Sequence, residues 1–168
     1  MRVTLDSAIL VRANQRATGP ARALLLELLD GGHPLVLSGG VLDEVERVLH
    51  YPRLLRRFAL TETEITGFVA FLAGAAEIVD VDDTIVPPIR DPNDIHIVQA
   101  AISGKADYIC TLDEHFYETP VVTFCSERGL LLSPISTCCG WFEVRLVKRG
   151  RIGAFLLTNS WLVFRCYT

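Results

Sequence analysis

Short apolar runs alternate with longer amphipathic stretches along this chain, and that alternation admits few folds. Val3–Leu5 reads as a strand, and residues 19–29 as a helix with Pro20 near its first position and Gly31-Gly32 at its end. Residues 34–37 form a second short strand. Ser38 opens a helix reaching about His50, and 52–58 and 61–75 are two more helices, the latter begun by a capping box of Thr61 with Glu64. A strand over 77–81 follows, then Pro87-Pro88, a helix over 92–103 stopped by Gly104, and a strand over 107–111. A short helix over 120–128 and a strand over 130–132 complete the pattern. Strands separated by helices imply an α/β fold, with a central mostly parallel sheet flanked by helices on both faces.

The 168 residues suit one domain with a substantial core, and half of them are apolar. No apolar run reaches the ~18 residues of a membrane span. There is also no basic leader with an apolar stretch behind it, so a cytoplasmic location without membrane association is expected. The five cysteines are an odd number without zinc spacing, and all are expected as reduced thiols, Cys110 within the core. Net charge is −4, which argues against a broad electrostatic grip on nucleic acid. The balance is uneven: residues 1–135 hold 11 Lys/Arg against 19 Asp/Glu, whereas 136–168 hold five basic residues against Glu143 alone.

Acidic residues fall where such a sheet gathers ligands, at the carboxyl ends of strands. Asp6 follows the first strand and Asp113 closely follows the strand over 107–111. At 100° per residue, Asp94 points into the apolar arc of Ile95, Ile97, Val98, Ala101 and Ile102, with His96, Gln99 and Ser103 opposite. A carboxylate facing the protein must be paired or hold a cation. Glu44 lies on the shoulder of its helix's apolar arc, within reach of a cleft edge, and Asp91 before Pro92 suits an N-cap. As isolated residues these aspartates and Glu44 also suit turns, a helix dipole or a surface boundary. Sharing one pocket, they repel one another until a divalent ion quenches the repulsion, and oxygen-only ligands select Mg2+ or Mn2+. Such an ion activates water and stabilises phosphodiester displacement.

In order and spacing these segments resemble the PIN-domain family, specifically its toxin-like, VapC-type ribonucleases. The resemblance rests on Val3-Thr4-Leu5-Asp6, on Leu37-Ser38 leading into Val41-Leu42-Asp43-Glu44-Val45 with Tyr51-Pro52 behind it, on Asp91-Pro92-Asn93-Asp94, and on 106–113 ending in Thr111-Leu112-Asp113. It covers roughly residues 1–135 and implies a PIN-like three-layer α/β/α fold. It further implies a metal-dependent endoribonuclease with Asp6, Glu44, Asp94 and Asp113 as the catalytic, metal-binding quartet. Ser7, Asp91 and His115 are candidate accessory residues. RNA is the implied substrate, and the family is often the toxin component of a toxin-antitoxin system, neutralised by a cognate antitoxin and frequently a homodimer. Where the family usually has Thr-Asn after the first aspartate, this chain has Ser7-Ala8, which keeps a hydroxyl and loses an amide. That departure leaves open a catalytically weakened PIN-like module binding RNA or protein. A phosphatase using Asp6 as nucleophile is disfavoured, because position 8 lacks the second aspartate of such enzymes.

Residues 136–168 depart from a usual PIN ending and read as an atypical C-terminal extension. They hold both tryptophans, three of the cysteines and the basic run Arg145, Lys148, Arg149 and Arg151, which suits an RNA backbone or simple solubility. Residues 143–147 and 152–157 are able to pair as a hairpin; otherwise the extension is poorly ordered.

Overall fold

Among the described residues, five short strands line up in parallel and build the frame of the fold. The structure, a computed structural model, describes residues 1–138. The hairpin expected over 143–157 and the basic run of the extension lie outside the described residues. Strand β1 (Val3–Leu5) pairs with β4 (Tyr108–Cys110), which pairs with β5 (Leu131–Ser133). On the other side, β2 (Val36–Leu37) pairs with β3 (Glu77–Ile78), and a parallel bridge from Val3 to Leu35 joins the two groups. The spatial order is therefore β3-β2-β1-β4-β5, with every pairing parallel. The central strand β1 is buried along its whole length, as a sheet covered on both faces requires.

The helices are α1 (Ser7–Arg12), α2 (Pro20–Asp30), α3 (Gly39–Leu49), α4 (Pro52–Phe58), α5 (Glu62–Ala75), α6 (Ile95–Ser103) and α7 (Thr119–Ser126). Strand order runs one way from β1 to β3 and reverses before β4. Right-handed crossovers therefore put α1–α5 on one face and α6 and α7 on the other, in three α/β/α layers. The contacts agree: α1 packs on α2 and α3, and α3 on α5, while α6 lies on β1, β2 and β4 and α7 on β5.

Local chemistry explains most boundaries. Pro20 and Pro52 sit at helix starts, Ser38 caps α3 by accepting from Val41 N, and the Thr61–Glu64 capping box opens α5. The helix expected over 92–103 divides: a 3-10 turn (Pro92–Asp94) leads into α6. Strand β3 is shorter than the pattern over 77–81 because Asp80, Asp82 and Asp83 follow it, and a charged short edge strand resists further pairing.

One cysteine expectation fails. Cys110, at the end of β4, is bonded to Cys138, with Cα atoms 7.0 Å apart, so these two are not reduced thiols. Their 28-residue separation hid the pair: only the parallel return through α7 and β5 brings Cys138 back over β4. Cys125 is free and buried, and burial pushes its thiol up to about 11. Among the described residues no single helix is long and apolar enough to cross a membrane.

Candidate active site

Strand order reverses between β1 and β4, and the carboxyl ends of strands at such a reversal are where open parallel sheets gather ligands. Asp6 continues the β1–β4 pairing, its N–H donating to Cys110 O at 3.0 Å, and then caps α1. Its carboxylate, only 4% exposed, accepts from Thr111 Oγ1 at 2.7 Å and from Ala8 N at 3.3 Å. Thr111, itself fully buried, uses the same hydroxyl to accept from Asp113 N at 3.0 Å. One hydroxyl thus ties the β1 aspartate to the one after β4. Asp113 in turn caps a 3-10 turn (Glu114–Tyr117), accepting from His115 N at 2.9 Å.

Glu44 approaches from α3. Ser7 Oγ donates to its Oε2 at 2.7 Å, which links α3 to the start of α1. His96 Nε2 stands 3.1 Å from the same oxygen, and Arg47 lies 3.7 Å from Oε1. Asp94 precedes α6 and makes no side-chain capping bond, so helix capping does not account for it.

Electrostatics shows that the four carboxylates share one neighbourhood. Burial is the largest influence on Asp94, followed by the charges of Asp6, Asp91, Asp113 and Glu44, and together they push it up to about 7. Burial likewise raises Asp6 above the ordinary carboxylate range, with the Thr111 and Ala8 hydrogen bonds opposing it and Asp113 and Glu44 adding to it. Burial and the Asp6 charge also raise Tyr117, whose hydroxyl donates to Thr111 O at 3.3 Å.

Asp6, Glu44, Asp94 and Asp113 therefore come from four separate segments into one electrostatic neighbourhood. The accessory candidates divide. Ser7 is within it, holding Glu44. Asp91 is exposed and caps the 3-10 turn, accepting from Asn93 N at 2.9 Å and from Asn93 Nδ2 at 2.8 Å. His115 gives its backbone to Asp113, but its ring sits 3.3 Å from Glu118.

Three residues escaped the sequence. The helical wheel puts His96 opposite the apolar arc, yet its Nε2 is buried against Glu44. Gln99, assigned to the same face, is also buried and donates to Ile85 O at 3.0 Å. The irregular segment before the helix covers Gln99 and α3 covers His96, so α6 is not simply amphipathic. Thr111 had no such pattern to mark it, because β4 ends at Cys110 and the chain from 111 to 113 is irregular.

The donors are all oxygen and mutually repelling, which fits a hard divalent cation. Among the described residues, no group of three or more Asp, Glu, His or Cys side chains is placed to hold a metal ion as the side chains stand. Asp6 is turned onto Thr111, Glu44 onto Ser7, and Asp113 onto His115 N. An ion would be held by reorienting these side chains.

The crystal structure of VapBC2 from Rickettsia felis bound to a DNA fragment from their promoter contains a chain of similar fold. The TM-score is 0.53 at 18% identity, over 80% of this chain and 98% of that one. No curated protein matches the sequence. Residues 2–115, which span β1 through the turn after Asp113, match the family model for the PIN domain. The chain belongs to the PIN-domain family.

Proposed function

We propose that this chain is a Mg2+- or Mn2+-dependent endoribonuclease, the toxin component of a toxin-antitoxin pair. The observation that carries the reading is the linkage of carboxylates from separate segments: Thr111 Oγ1 joins Asp6 to the backbone of Asp113, and Ser7, next to Asp6, holds Glu44. Such a cluster is costly for a fold unless a cation compensates it. Asp6, Asp94 and Asp113 are the residues that would hold the ion, and Glu44 would either join them or orient the attacking water. When bound, a divalent ion activates water and neutralises charge developing on the scissile phosphate.

The protein's own groups do the rest. Thr111 fixes Asp6 relative to Asp113, and Ser7 fixes Glu44. The excess of acidic residues in 1–135 makes the ion the main anchor for an RNA phosphate. The likeness to a chain of VapBC2, a complex solved on its promoter DNA, supports a cognate antitoxin as partner. A homodimer and a cytoplasmic setting belong to the same reading.

RNA cleavage with added Mn2+ tests it. Wild type should cut, EDTA should stop it, and Asp94→Asn should lower the rate by about 100-fold or more. Wild type that cuts no better than Asp94→Asn overturns the reading. A second reading, an RNA- or protein-binding module with a weakened site, is favoured by one observation: Ala8 stands exposed where the family carries an amide side chain. It predicts RNA retention without turnover in the same assay.

A further inference from the structure

We infer that His96 is a positioning residue that sets Glu44, and with it the spacing between the α3 and α6 sides of the site; the inference rests on the metal-dependent reading above. His96 Nε2 is buried, has no hydrogen-bond partner and lies 3.1 Å from Glu44 Oε2, so the nitrogen is close to the oxygen but its N–H is not aimed along the contact. A ring nitrogen this near a carboxylate oxygen is a donor, because two lone pairs would repel. A buried donor without an acceptor is costly, and a small turn of the ring brings Glu44 into line.

The oxygen it faces is already in use. Ser7 Oγ donates to the same Oε2 at 2.7 Å, whereas Oε1 has only Arg47, at 3.7 Å and largely exposed. A second donor turned onto this oxygen would tie it down and leave Oε1 as the one to engage metal or water. The ring also lies beside Gly40 in the first turn of α3, where a Cβ would stand 3.7 Å from its Cδ2. His96 is two residues past Asp94 in the chain. Seating its imidazole on Glu44 therefore fixes the Asp94 turn against α3, so one side chain sets two carboxylates from different segments.

The test is Mn2+ binding by electron paramagnetic resonance, followed by RNA cleavage, for wild type, His96→Leu and His96→Gln. Leucine fills the space without a donor; glutamine returns an N–H at about the same reach. Loss of an orienting partner of this kind typically costs 10–100-fold. His96→Leu should weaken Mn2+ binding about tenfold or more and lower kcat with little change in KM, and His96→Gln should recover most of both. Thermal melting of each variant separates these effects from unfolding. The inference is overturned if His96→Leu matches wild type, or if a folded His96→Gln is as impaired as His96→Leu. Wild type that binds no Mn2+ overturns the metal reading and this inference together, whereas wild-type binding with an indifferent His96→Leu overturns this inference alone.

Discussion

Asp94 is where a single carboxyl group carries consequences for stability as well as chemistry. Its folded value of about 7 lies above the ~3.9 of an unfolded aspartate, so the fold holds this proton more tightly than the unfolded chain does. Its stabilising contribution is complete below about pH 4 and is lost as pH rises through about 7. Without divalent ions, the melting temperature should therefore fall between those limits. Asp94→Asn should flatten that dependence and stabilise the metal-free protein at pH 8, on the order of 1–2 kcal/mol once solvent screening is allowed for. Thermal melts in EDTA at pH 5 and pH 8 measure it; a variant as pH-sensitive as wild type contradicts it. Thr4 offers a second test: its hydroxyl is buried in β1 without a hydrogen-bond partner. Thr4→Val removes that orphan at nearly constant volume and should stabilise by about 1 kcal/mol in chemical denaturation. At this scale the acidic residues were legible because Asp6 and Asp113 follow apolar strands and Asp94 breaks an apolar arc. His96 was not, because its environment is made by α3 rather than by its own helix.

At the scale of elements, the turn chemistry was readable and the short pieces were not. Proline at helix starts and the Thr61–Glu64 box mark true boundaries. Helix α1 is not legible because its six residues, with Ala8 and Arg12 alone exposed, are too few to display a helical period. The wheel of α6 misled because Ile85 and α3 cover what looked like a polar face. Gly104 ends α6 as expected, but its backbone φ of −84° suits any residue. What it answers is crowding: a Cβ there would meet Val36 Cγ1 at 2.3 Å and Ala100 O at 3.1 Å. Gly104→Ala should therefore destabilise the α6–β2 packing by about 1–3 kcal/mol, and an unchanged denaturation midpoint would contradict that close approach.

Across the whole molecule, parallel β-topology turns four distant acidic positions into one neighbourhood. The alternation of strands and helices was enough to expect the layers, but strand order comes from tertiary pairing. Likewise, no local pattern announced that β5 and the helical residues 135–138 after it would carry Cys138 back to Cys110. Charge also belongs to this scale. With 19 acidic residues against 11 basic ones in 1–135, RNA should be held chiefly through the ion. Chelation should thus weaken RNA binding by at least about tenfold in a filter or anisotropy assay, and equal affinity in EDTA and Mn2+ would place the RNA elsewhere. The most direct measurement is a crystal soaked in Mn2+ and examined for anomalous scattering. The account predicts a manganese peak bounded by the carboxylates of Asp6, Asp94 and Asp113, with Glu44 at its edge. Well-ordered carboxylates with no peak among them at saturating Mn2+, or a peak only at another surface, would contradict it.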